Sequence, residues 1–138
     1  SDLYFAQKDK GAYLNNKKIQ VSGVNILAEA ACGLDVGHRG KRSEKLARYL
    51  NRLIDQIGMP YSVGTAVVSQ ALVGRGILDG YVSQAWIWDF AAGAVIVREA
   101  GGKVTDFEGN EPDWTKERLE IVASNGLIHD QILEALKQ

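Results

Sequence analysis

Cysteine is almost missing from these 138 residues, with Cys32 standing alone. That excludes an internal disulfide framework and suits a reducing cytosol. Set among Ala30, Ala31 and Gly33, Cys32 reads as a buried structural thiol and not as a nucleophile. Positive charge is not in surplus either. Sixteen Lys and Arg face 17 Asp and Glu, for a formal net charge of -1, so the footprint of a nucleic-acid or lipid-surface binder is missing. No apolar run approaches the length of a membrane span, and the first residues lack a basic-then-apolar leader. Internal repeats, linkers and low-complexity segments are absent as well. The expectation is a soluble, cytoplasmic protein with neither nucleic acid nor membrane as partner.

What remains is globular. Apolar residues make up 46% and charged residues 24%, in a length that fits one domain with a real core. Leu3 to Ala6, Ala12 to Leu14 and Ile19 to Val21 read as short strands, separated by the turn signals Asp9-Lys10-Gly11 and Asn15-Asn16. Ile26 to Cys32, short and bounded by turn residues, reads as a further strand. Leu34 to Arg42 is a polar loop whose His38 and Arg39 are placed to touch an anion, although a solvated loop explains them as well. In Ser43 to Ile57 the residues Leu46, Leu50, Leu53, Ile54 and Ile57 recur at helical steps, with Ser43 as the cap. Tyr61 to Val63, Ile77 to Val82, Lys103 to Phe107 and Leu119 to Ala123 read as strands. Leu127 to Lys137 reads as a closing helix with His129 on its solvated exterior. Asp79 and Asp106 fall in strand or turn, where solvation explains them. Strands interleaved with helices give an α/β layered architecture with a mixed β-sheet.

Two stretches carry possible chemistry. In Trp88 to Gly102, Asp89 reads as the N-cap of an apolar helix that Gly101-Gly102 terminates. A carboxylate at a helix start is placed to meet a cation. In Tyr61 to Leu72, a short strand, Gly64, and Thr65 as N-cap precede a second helix. That geometry points free backbone N–H groups at an anion or a hydroxyl.

These residues resemble the C-terminal half of the inositol monophosphatase family, the magnesium-dependent, lithium-sensitive sugar phosphatases. Trp88-Asp89-Phe90-Ala91-Ala92-Gly93, continued by Glu99-Ala100-Gly101-Gly102-Lys103-Val104-Thr105-Asp106, is similar to the family's second signature. Gly64-Thr65-Ala66 precedes it at about the family distance. Leu3-Tyr4-Phe5-Ala6 with Gly11-Ala12-Tyr13-Leu14-Asn15 resembles the family stretch G-x-L-Y-x-A-x-x-G-x-G-A-x-x-N. The resemblance implies that residues 1–138 are the C-terminal domain of a five-layered αβαβα sugar phosphatase fold. It implies Asp89 as a ligand of catalytic Mg2+, and Gly64, Thr65 and Ala66 as contacts to the substrate's hydroxyls or phosphate. Where many members place a glutamate that bonds a sugar hydroxyl, this chain reads Ser83-Gln84-Ala85. Ser83 is carried over as the substrate-binding residue there, and the missing acid argues against inositol itself.

The D-P-[IL]-D-G-T motif and the upstream Glu-Glu pair that hold the family's other metal ligands are not in these residues. Mg2+ takes octahedral oxygen coordination, and one carboxylate cannot hold two ions. The resulting expectation is the C-terminal part of a Mg2+-dependent phosphatase acting on a small phosphorylated sugar or polyol. It contains no catalytic residue of its own, lacks the N-terminal metal-binding half and is inactive alone; a homodimer is plausible for the family. A free-standing sugar-phosphate-binding or regulatory module, or one half of a two-chain enzyme, fits the same residues. Fructose 1,6-bisphosphate, histidinol phosphate and an adenosine 3′-phosphate remain open as substrates.

Overall fold

The computed structural model describes residues 1–138. Tyr4–Gln7 (β1), Gly11–Leu14 (β2) and Lys17–Ile19 (β3) form an antiparallel three-stranded sheet. Its turns run through positive φ at Asp9, Gly11, Asn15 and Asn16, residue types that tolerate the left-handed region. Ala31–Leu34 (β4), Met59–Tyr61 (β5), Gly80–Trp86 (β6), Lys103–Thr105 (β7) and Arg118–Ser124 (β8) form a second sheet. Its order is β5-β4-β6-β8-β7. β4 runs parallel to β5 and β6, and β8 runs antiparallel to β6 and β7. The sheet is mixed, as expected. β5 is an edge strand whose three residues, Met59, Pro60 and Tyr61, are all exposed.

The helices are Arg42–Lys45 (α1), Asn51–Leu53 (α2), Ala66–Gly74 (α3), Ile87–Glu99 (α4) and His129–Lys137 (α5). α1, α2 and α5 cover one face of the larger sheet. Tyr49, Leu50, Leu53, Val82, Val122, Ile128 and Ile132 form the core there. α3 and α4 cover the other face, packing Val73, Phe90 and Val97 on Tyr81, Ile121 and Ala123. Neighbouring residues in β6 and β8 thus serve opposite cores, the period-2 alternation of a sheet buried on both sides. α4 also packs Ile96, and its C-cap Ala100, on Ala12 of the small sheet. The layers are therefore α, β, α, β. Glu99, at the end of α4, accepts the backbone N–H of Asp9 and Gly11 at 3.0 and 2.9 Å and ties the β1–β2 turn to the helix. No helix is long and apolar enough to cross a membrane.

Several expectations are corrected. Ile26 to Cys32 is not one strand: Leu27–Glu29 makes a single 3-10 turn and β4 begins at Ala31. Gln131 Oε1 takes the Leu27 N–H at 2.9 Å, a partner 104 residues away that no local pattern reveals. Ser43 is not the cap of its helix; Lys41 is, and Ser43 lies inside the first turn. The regular 43–57 helix is interrupted by a π-helical turn, Leu46–Leu50, which rotates the apolar face. Leu46 and Ile54 are consequently exposed, while Tyr49 is buried beside Leu50, Leu53 and Ile57. The strand expected from Ile77 starts only at Gly80 and continues to Trp86. β7 stops at Thr105, because Asp106 Oδ1 caps a turn through the N–H groups of Glu108 and Asn110.

Two polar residues read as solvated are buried. Asp79, 5% exposed, accepts Ser22 Oγ at 2.5 Å and the Ala31 N–H at 2.7 Å. The carboxylate thereby ties the segment after β3 to the start of β4. His129 is fully buried at the start of α5. Its Nδ1 shares a hydrogen bond with Ser124 Oγ and its Nε2 with Thr105 Oγ1, both at 2.8 Å. Burial first, then the charge of Lys103, lowers its pKa to about 4, so the ring is neutral at pH 7. The helix looked solvated at this position because the strand residues that cover it lie elsewhere in the chain. Cys32 is buried as expected. Burial, then the nearby Asp79 charge, raises its pKa to about 12.

Candidate functional site

α3 and α4 begin at the same end of the sheet, and the site lies between their first turns. β6 runs to Trp86 and α4 begins directly after it at Ile87, earlier than the sequence pattern indicates. Trp86 is the N-cap and Asp89 is the third residue of the first turn, which corrects the assignment of Asp89 as the cap. The Asp89 carboxylate reaches back to accept the Trp86 N–H at 3.1 Å through Oδ2, the acidic half of a capping box. That leaves the second oxygen for a ligand. Asp89 is half-buried.

The start of α3 is shaped differently. Gly64 has φ +78, a left-handed conformation that costs a residue with a Cβ. Nothing lies within 4 Å of where that Cβ would be, so the demand for glycine is one of backbone and not of space. Thr65 is the N-cap in extended conformation, as expected, but its side chain makes no capping hydrogen bond. The first N–H groups of α3 are therefore without a side-chain acceptor at a helix end that favours anions.

Gly64, Thr65, Ala66 and Asp89 line one cavity of about 190 Å³, together with Asp35, His38, Ser69 and Tyr81. A second cavity of about 220 Å³ is lined by Asp35, His38, Lys41, Lys45, Trp86, Asp89 and Arg118. Each alone is smaller than the roughly 300 Å³ at which ligand pockets begin. The two share Asp35, His38, Ala85 and Asp89 and so adjoin along one cleft. Four of the five expected site residues thus come together. Ser83 does not reach the cleft: it is fully buried, and its hydroxyl donates to Asp35 Oδ2 at 2.9 Å. Its influence passes through Asp35.

Asp35 is the residue that sequence reasoning missed. It follows β4, accepts the Gly37 N–H at 2.9 Å and pairs with the Lys45 ammonium. Burial alone would raise its carboxyl, but Lys45, Gly37 and Ser83 outweigh burial and hold it below the usual carboxylate range. Lys45 also donates to the Gln84 carbonyl at 3.1 Å. Of the cations around the cleft, Lys41 pairs with Glu44, whereas Arg118 stacks over the Trp86 ring at 4.9 Å. Trp86 stacks in turn on Trp88 at 5.2 Å, and Trp88 is 66% exposed.

As a metal centre the cleft is partial. No three His, Cys, Asp or Glu residues in the chain are grouped to hold an ion. Asp89 offers one free carboxylate oxygen, and Asp35 is already committed to Lys45, Ser83 and Gly37. A hard cation such as Mg2+ fits Asp89 as one ligand among several.

The family model described as the inositol monophosphatase family matches residues 1–138. A fructose-1,6-bisphosphatase/inositol-1-monophosphatase of Thermotoga maritima is 33% identical over 141 residues, covering 100% of this chain and 52% of that protein. The crystal structure of the extragenic suppressor protein suhB of Bartonella henselae superposes with a TM-score of 0.88 at 32% identity. The match covers 99% of this chain and 53% of that one. An inositol monophosphatase structure from Anabaena (Nostoc) has a TM-score of 0.88 at 30% identity, over 100% of this chain and 55% of that one. The chain spans about half the length of the relatives it matches.

Proposed function

Because this chain belongs to the inositol monophosphatase family, we propose that it is the C-terminal part of a Mg2+-dependent phosphatase acting on a small sugar or polyol phosphate monoester. The observation that carries this reading is the convergence of Asp89 with the Gly64–Ala66 turn on one cleft. A carboxylate for the cation and an anion-favouring helix start are the two poles a phosphomonoester site needs.

In this reading the free oxygen of Asp89 is one ligand of Mg2+. Mg2+, when bound, supplies neutralisation of phosphate charge and a more acidic bound water. The open N–H groups at the start of α3 hold phosphate or hydroxyl oxygens, and the left-handed backbone at Gly64 aims them into the cleft. Asp35, fixed by Lys45 and Ser83, orders the wall opposite. The remaining ligands and the catalytic base come from the part of the relatives' length that this chain does not span.

The test uses the complete protein that contains this chain. Phosphate release from a panel of sugar and polyol phosphates should require Mg2+, and Asp89→Asn should lower kcat at least about a thousandfold. The 138 residues alone should release none. Full turnover by the Asp89→Asn protein would refute the assignment, and a complete protein inactive on every ester with Mg2+ would favour a binding module.

A further inference from the structure

α3 and α4 meet face to face where Gln70 packs against Gly93. Gln70 is fully buried. Its Nε2 donates to the Ala66 carbonyl at 3.3 Å and, across the helix pair, to the Asp89 carbonyl at 3.2 Å. Both acceptors sit in the first turns that border the cleft, and one belongs to Asp89 itself. On the facing helix, a Cβ at Gly93 would lie 2.5 Å from Gln70 Nε2 and 2.6 Å from Gln70 Cβ and Cδ. The close crossing therefore exists only because Gly93 has no side chain.

One detail argues against simple space filling. Gln70 Oε1 is buried without a hydrogen-bond partner. An unpaired buried acceptor is a recurring cost that an apolar residue of the same size would avoid. The reversed amide is worse, since it would set Oε1 against two carbonyl oxygens. The amide thus retains one orientation at the expense of its own acceptor, and what that orientation provides is the link between the two helix starts.

We infer that Gln70 and Gly93 form a lock that sets the distance between the Gly64–Ala66 turn and Asp89, which makes Gln70 a positioning residue for the cleft. The inference rests on the reading of that cleft as the phosphate-ester site. A displacement on the order of 1 Å between a ligand-bearing group and a substrate-orienting turn is enough to cost up to about a hundredfold in rate. The lock is specific to this pair: a wider residue at position 93 or an apolar one at position 70 breaks it.

Gln70→Met keeps length and bulk and removes the amide, so it is the variant to examine. In the complete protein that contains this chain, amide hydrogen exchange should accelerate about tenfold at the first hydrogen-bonded turns of both α3 and α4. Near Val73 and Val97 it should change less than about twofold. In the complete protein, kcat should fall about tenfold with KM within about twofold. Uniform or unchanged exchange would overturn the lock even if Asp89 proves essential. Should Asp89→Asn retain full activity, the site reading fails while the exchange pattern still decides the lock. Gln70→Leu repeats the comparison; failure of both variants to fold would assign Gln70 to core stability and overturn the inference.

Discussion

Ser83 Oγ donates to Asp35 Oδ2 at 2.9 Å, and the same carboxylate oxygen receives the Lys45 ammonium. The wall of the cleft is thus bound together from the end of β4, the end of α1 and the middle of β6. With side-chain exposures of 25% and 12%, Asp35 and Lys45 are too sheltered for water to replace either partner fully. Asp35→Asn should therefore destabilise the chain by about 2 kcal/mol in urea titration at pH 7, and Ser83→Ala by about 1 kcal/mol. Asp35 has a lowered folded pKa, so its stabilising effect is present above the unfolded carboxylate value and is lost as pH falls through the folded one. The Asp35→Asn deficit should accordingly shrink in acid.

His129 predicts a second pH dependence. Its folded pKa of about 4 lies below the unfolded 6.5, so only the unfolded chain binds the proton between these values. Neutral His129 contributes its full stability above pH 6.5, and this contribution falls as pH drops toward 4. The loss amounts to about 3 kcal/mol, less whatever the neighbouring Asp130 and Lys103 charges redistribute. Urea midpoints measured from pH 7 to pH 4 should follow this slope. His129→Asn should flatten it within that window.

Gly64→Ala places a Cβ on backbone with φ +78. Because the position is open, the cost is conformational alone, about 1 kcal/mol, seen as a melting temperature lower by about 3 °C. In the complete protein the same change should raise KM more than it lowers kcat, since the turn is read as orienting the alcohol portion of the ester.

Asp89→Asn separates chemistry from folding. Asparagine also accepts the Trp86 N–H through its side-chain oxygen, so the 138-residue variant should melt within about 2 °C of the parent. Calorimetric titration of the parent chain with Mg2+ should give a Kd of about 1 mM or weaker, as expected for one carboxylate. Micromolar binding would mean that other residues of this chain complete the metal shell.

The part of this fold that was legible in the sequence is the part encoded within about 15 residues. The β1–β2 and β2–β3 turns, the turn at Gly64 and the stop at Gly101, which has φ +93, all carry local signals, whereas the ends of β6 and the start of α4 did not. Asp89 was recognisable because its neighbours form a motif, yet its place as third residue in the turn depended on how far β6 extends. Asp35 was invisible: its partners Lys45 and Ser83 are 10 and 48 residues away, and each alone is an ordinary polar residue. His129 and Asp79 misled for a related reason. A polar residue paired with Ser124 and Thr105, or with Ser22 and Ala31, looks in sequence like one paired with water. The π-helical turn at Leu46–Leu50 preserved the apolar spacing that suggested a regular helix while turning part of that face outward.

The exposed edge strand β5 has a further meaning for behaviour in concentrated solution. Met59 donates its N–H inward to Ala30 O at 2.9 Å, so alternation directs the next backbone nitrogen outward, and that residue is Pro60. The outer border of the sheet lacks its central donor, and the opposite border, β7, is three residues long and begins with Lys103. Neither border presents a long run of open donors to another copy, so strand addition is disfavoured at both ends of the sheet.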